Sequence, residues 1–97
     1  MDPIESREYS WEYVIADKIL REGPCELLYV AVVPSAATTD SAIYNGRSTS
    51  GRKILDLKVA VVASGEFRPP LPIFCDQGLY LDVGSNVSGI FVLWRDL

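Results

Sequence analysis

The sequence contains no histidine, and that single absence removes more chemistry than any other property it has. Ser-His and Cys-His nucleophile pairs need an imidazole to take a proton, and imidazole is also the commonest general base near neutral pH. Zinc sites lose their usual nitrogen ligand at the same time. Cysteine is scarce: Cys25 and Cys75 lie fifty residues apart, which is neither a CxxC redox pair nor half of a zinc motif. Each reads as a small buried apolar side chain, and a disulfide between them requires their strands to be neighbours. None is expected, because the start (Met1, Asp2, Pro3, Ile4, Glu5) lacks the basic residues and apolar stretch of a secretory signal.

Long apolar runs are missing too, with nothing near the roughly 18 to 20 residues of a membrane-spanning helix. A soluble protein made in a cytoplasm is the expectation. Basic charge is in deficit, nine Lys and Arg against thirteen Asp and Glu, giving a net charge of −4. Phosphate neutralisation needs a basic face, so nucleic acid is excluded as a general partner.

The remaining candidates for chemistry are weak. Asp76 and Asp82 flank an expected strand, but thirteen acids produce such neighbours by chance, and a chain this short leaves little room for a substrate cleft. Gly46-Arg-Ser-Thr-Ser-Gly51 has the two glycines of a phosphate-binding loop, yet Arg52, Lys53 and Ile54 follow where Lys and then Ser or Thr are required. It reads as a flexible basic hairpin tip. Arg68-Pro-Pro-Leu-Pro72 contains PxxP and reads as a rigid connector, and Asn86-Val-Ser88, a glycosylation sequon by pattern, reads as a turn. No enzyme, cofactor or metal is expected.

What is present is a regular β pattern. Hydrophobic residues make up 48% of the chain and charged ones 23%, a globular composition. Residues 1–9 are polar, hold Pro3 and read as an N-terminal arm of the kind that reaches a neighbouring subunit, with one β domain over 10–97. Trp11, Tyr13, Val14 and Ile15 favour strand over helix by their aromatic and β-branched content. Gly23-Pro24 turns the chain into Glu26–Val33, apolar on both faces and therefore expected at the centre of a sheet and covered on both sides. Ala42–Tyr44 leads to Asn45-Gly46 and a loop running to Gly51, after which Lys53–Val62 resumes with alternation at Leu55, Leu57, Val59 and Val61. The prolines at 69, 70 and 72 mark an edge or crossover, Leu79, Leu81 and Val83 alternate in a further strand, and Gly89–Trp94 closes the domain. The sum is an all-β sandwich or barrel of six to eight antiparallel strands.

Two groups of residues are candidates for contact with other proteins. Tyr9, Trp11, Tyr13 and Trp94 are amphipathic aromatics of the type enriched in interface cores, although strand aromatics more often pack inward. Arg47, Arg52 and Lys53, at the hairpin tip, suit electrostatic docking on an acidic partner surface.

The order Ala42-Ile-Tyr-Asn-Gly46, Ser48-Thr-Ser-Gly51, Lys53-Ile54, Phe67, Leu71-Pro72 and Gly78-Leu-Tyr-Leu-Asp-Val-Gly84 resembles small virion proteins of tailed bacteriophages, in which an "IYDG" hairpin and a "GLYVD(I/L)G" strand recur at similar spacing. Upstream, Gly23-Pro24-Cys25-Glu-Leu-Leu-Tyr29 resembles their "GPGVLY" segment, so the likeness covers roughly residues 11 to 95; Cys25 stands for the second glycine of that segment and Asn45 for the usual Asp. The resemblance implies an accessory structural protein of the particle: a head decoration or cement protein, assembled as a homotrimer in the host bacterial cytoplasm and bound to the major capsid protein. A tail-fibre or baseplate component, or a carbohydrate- or receptor-binding module, is the alternative that it also accommodates.

Overall fold

The structure is a computed structural model and describes residues 9–36, 38–59 and 65–97. Nine strands and no helix occur among them: β1 (Tyr9–Val14), β2 (Lys18–Arg21), β3 (Cys25–Pro34), β4 (Ser41–Asn45), β5 (Arg52–Leu57), β6 (Gly65–Phe67), β7 (Ile73–Cys75), β8 (Leu79–Asp82) and β9 (Val87–Asp96). They form two antiparallel sheets, a small β-sandwich. One has the order β1-β9-β3-β6 with β7 also paired to β3, and the other has the order β2-β8-β4-β5.

The strand count exceeds the expected range for two local reasons. The run beginning at Trp11 is broken at Asp17, whose Oδ1 accepts a hydrogen bond from the Val83 amide at 2.8 Å, so that β1 joins one sheet and β2 the other. The proline-rich segment, which cannot donate a full ladder, separates two three-residue strands, β6 and β7, that pair with successive stretches of β3. The strand expected from Lys53 to Val62 runs from Arg52 to Leu57; residues 60–64 lie outside the described residues. So does the expected N-terminal arm apart from Tyr9, which already opens β1.

Between the sheets, Val14, Leu27, Val30, Val32, Ile90, Val92 and Trp94 from the five-stranded layer meet Ile43, Leu57, Leu79, Leu81 and Val83 from the four-stranded one. Burial of each such side chain is worth about 1.5–3 kcal/mol, which makes this interior the main source of stability. Polar groups inside are paired. Thr39 Oγ1 donates to the Leu57 carbonyl at 2.9 Å and accepts from the Val59 amide at 2.8 Å, and the Ser41 hydroxyl donates to the Val83 carbonyl. Gly84 holds φ +67° in the turn after β8, where a side chain would be driven into the Asp40 carbonyl.

The expectation for β3 needs correction. It is central, between β9 and the β6–β7 pair, but only one of its faces lies against the second sheet. A bulge between Leu27 and Tyr29 resets its alternation, so Cys25 and Leu27 and then Val30 and Val32 point inward. Tyr29, Ala31 and Val33 point outward and are half-buried by side chains of adjacent strands instead of by another layer.

Candidate functional site

The outward face of the five-stranded sheet is built from three rows of side chains, because residues in register across antiparallel strands share a face. Tyr13, Phe91, Ala31 and Glu66 make one row across β1, β9, β3 and β6. Trp11, Leu93 and Tyr29 make the next. Tyr9, Arg95, Glu26 and Phe74 make the third, which ends on β7. At about 4.8 Å between strands, four strands span roughly 14 Å, so these rows form a continuous surface.

The rings on it order one another. Trp11 stacks on Phe91 with centroids 5.9 Å apart, and Tyr29 meets the same ring at 6.0 Å in a tilted arrangement. Tyr29 donates its hydroxyl hydrogen to Glu66 Oε1 at 2.8 Å, and the Arg68 guanidinium lies 4.8 Å from its ring centroid. Being a donor to a carboxylate, that phenol is held above its ordinary pKa, with burial and the Glu66 charge acting in the same direction. Tyr13 lies over Gly89, so that any side chain at 89 would collide with its ring. The Glu26–Arg95 ion pair sits within the third row, both Nε and Nη2 of the arginine reaching Oε1.

Much of this surface is open to water. Tyr9 is 37% exposed, Trp11 67%, Tyr13 46% and Phe74 59%. With 150–250 Å² for a whole aromatic side chain, these four rings present roughly 450 Å², before Phe91, Leu93 and Val33 are counted. That is more than half of the ~800 Å² per partner of a standard protein–protein interface. The outer face of the other sheet is different in kind. It carries Tyr44 and Tyr80 among Lys53, Asp56 and Asp82, with Lys53 Nζ on Asp56 Oδ1 at 2.9 Å and 5.9 Å from the Tyr44 centroid. The ion pair raises the lysine pKa and lowers that of the aspartate.

The residues singled out from sequence therefore separate. Tyr9, Trp11 and Tyr13 are brought together on the aromatic face. Trp94, on the opposite side of the same sheet, is 6% exposed in the core, with its indole Nε1 donating to Asp96 Oδ1 at 2.9 Å. Arg47 lies in the β4–β5 loop, and Arg52 and Lys53 open β5. Arg47 and Arg52 line an open groove of about 620 Å³ with Asn45, Asp76 and Gln77. There Asp76 accepts hydrogen bonds from Asn45 Nδ2 at 2.9 Å and Gln77 Nε2 at 3.1 Å, which hold its carboxyl below the usual range. A second groove joins Arg52 and Lys53 to Ile73 and Phe74, so the basic tip borders the aromatic face at its β7 end.

No family model and no curated protein matches this chain. Among solved structures, a 3,4-ketoisomerase from Helicobacter canadensis overlays on 92% of the chain and 60% of its own length, with a TM-score of 0.34 and 10% identity. So slight a likeness supports no inference about chemistry.

Phe74, Tyr29, Phe91 and Leu93 were not among the sequence candidates. For Tyr29, Phe91 and Leu93 the signal was available, since Glu26–Val33 and Gly89–Trp94 are both apolar on two faces with no helix pattern to cover the second one; Phe74, in a three-residue strand after the prolines, carries no such pattern. Chemically the face offers dispersion, ring stacking and two ion pairs, Glu26–Arg95 within it and Glu66–Arg68 at its β6 edge.

Proposed function

We propose that the chain is a non-enzymatic structural protein of a tailed-bacteriophage particle, a capsid decoration or cement protein that docks through the aromatic face of its five-stranded sheet. The observation that carries this reading is the apolar surface of Tyr9, Trp11, Tyr13, Phe91, Leu93 and Phe74 on a sheet whose other side is already buried. The largest apolar patch on a folded domain, typically about 300–600 Å², is often a functional surface. The resemblance of the 11–95 region to small phage virion proteins supplies the setting, with a homotrimer and the major capsid protein as the partners it implies.

On this reading a ring-lined face buries apolar area against a neighbouring subunit, the Glu26–Arg95 pair fixes register, and Arg47 and Arg52 steer the approach to an acidic surface. Many identical contacts on a symmetric shell then add. Two measurements test it: sedimentation of the purified chain, expected to give a trimer, and negative-stain imaging of particles with and without it. Virions that lack the chain, or a protein monomeric at high concentration that does not bind shells, would refute it.

A second reading, a carbohydrate- or receptor-binding module of a tail fibre or baseplate, is favoured by Phe74 standing 59% exposed beside the groove of Asn45, Asp76 and Gln77. Glycan-array binding lost on Phe74→Ala would select it over the decoration role.

A further inference from the structure

We infer that Cys25 and Cys75 are a dithiol site that closes into an intramolecular disulfide on contact with a low-molecular-weight disulfide such as oxidised glutathione. The two residues are direct partners across β3 and β7, the first residue of one strand facing the last residue of the other. Opposed residues in antiparallel strands have Cα atoms about 4.5–5.5 Å apart, inside the window of about 4.4–6.8 Å that a disulfide spans. Both side chains point into the core, both are fully buried, and both are free thiols. Bridging them requires no change of register.

The site has an attacking and a resolving member. Cys25 belongs to a ten-residue strand held by β9 on its other side, where it faces Asp96. Cys75 ends a three-residue strand that pairs only with β3 among the described residues, so it is the one that local opening releases. The hydrogen bond between the thiols and burial raise the Cys25 pKa, and the Cys75 thiol lies 3.6 Å from the Ile73 carbonyl of its own strand, so the choice of Cys75 as the attacking sulfur rests on the release of β7. Asp96 and Arg21 act on Cys25 with opposite signs, and Asp76 acts on Cys75.

The exchange balances without a metal. The Cys75 thiolate attacks one sulfur of the small disulfide, forming a mixed disulfide and expelling one small thiolate; the Cys25 thiolate then attacks the Cys75 sulfur, forming the Cys25–Cys75 bond and expelling the second. The small disulfide is reduced to two thiols, and the two protons lost by the cysteines end on them. In reducing surroundings the pair stays open; in oxidising ones it closes, clamping β7 and with it Phe74 and the Asp76–Gln77 wall of the groove. The inference stands independently of the function proposed above.

The experiment uses the full reduced chain in native buffer with oxidised glutathione, followed by alkylation of remaining thiols and intact-mass and peptide mass spectrometry. The expected result is loss of the two thiol hydrogens, no alkylation, a linked peptide pair carrying Cys25 and Cys75, and a thermal midpoint raised by about 10–20 °C and restored by dithiothreitol. Cys25→Ser should stop at a stable glutathione adduct on Cys75, whereas Cys75→Ser should give no adduct while folded. Thiols that remain alkylatable, linkage only between chains, stable adducts on both wild-type cysteines, or closure only in denaturant would each overturn the inference. The wild-type measurement decides even if a variant does not fold.

Discussion

Replacing Trp11 by Ser separates adhesion from folding, because the residue is two-thirds exposed yet stacked on Phe91. For a whole tryptophan of about 250 Å², the 67% exposure leaves roughly 170 Å² in water and about 80 Å² covered within the chain. At ~25 cal/mol per Å², the covered part limits the loss of folding stability to about 2 kcal/mol, and the exposed part has a gross value of about 4 kcal/mol when a partner buries it. Ordering costs consume part of that, so a central ring of this kind is expected to contribute at least about 2 kcal/mol, a roughly 30-fold weaker association constant after substitution. Sedimentation equilibrium over a concentration series measures the association, and urea denaturation at low concentration measures the fold. If Trp11→Ser folds and associates as tightly as the wild type, with itself and with shells, then Trp11 is not at the interface and the docking face has been misassigned.

Three further predictions bear on the fold. Trp94→Ala should cost about 3–5 kcal/mol by opening a cavity between the sheets, an effect on the urea midpoint far larger than that of Trp11→Ser. Thr39→Val should cost about 2–3 kcal/mol, because it strips partners from the Leu57 carbonyl and the Val59 amide while preserving shape; thermal denaturation reads this directly. Burial, together with Asp17 and Asp40, raises the Asp82 pKa. An acid with a raised folded pKa binds its proton more readily in the native state, so stability falls as pH rises from the ordinary carboxylate range through the folded value. Asp82→Asn should therefore stabilise at pH 7, with the gain fading as the buffer is taken toward pH 4.

The strand pattern was legible wherever one periodicity prevailed. Leu79 and Leu81 alternate with Tyr80 and Asp82 in the sequence and point inward in the structure, and Asn45-Gly46 opens the long β4–β5 loop that its residues suggest. Legibility failed where a local device interrupts the period. The bulge at Leu28 exchanges the faces of β3 partway along, so strict counting from Leu27 would place Tyr29 and Ala31 inside. The split at Asp17 depends on one carboxylate meeting the Val83 amide, a contact 66 residues away in sequence. Trp11 and Trp94 look alike as aromatics on strands, and only the pairing of Ser10 with Trp94 and of Trp11 with Leu93 reveals that they face opposite sides. The pairing of Cys25 with Cys75 likewise depends on which strand comes to lie beside β3.

β9 lies between β1 and β3, the first and third strands in chain order, and holds both in register along most of its ten residues. A ribosome therefore releases the two flanking strands long before the one that joins them exists. Until β9 has emerged, β3 can pair only with β6 and β7, and β1 has no partner among the described strands, so completing the larger sheet waits on slow, distant pairing.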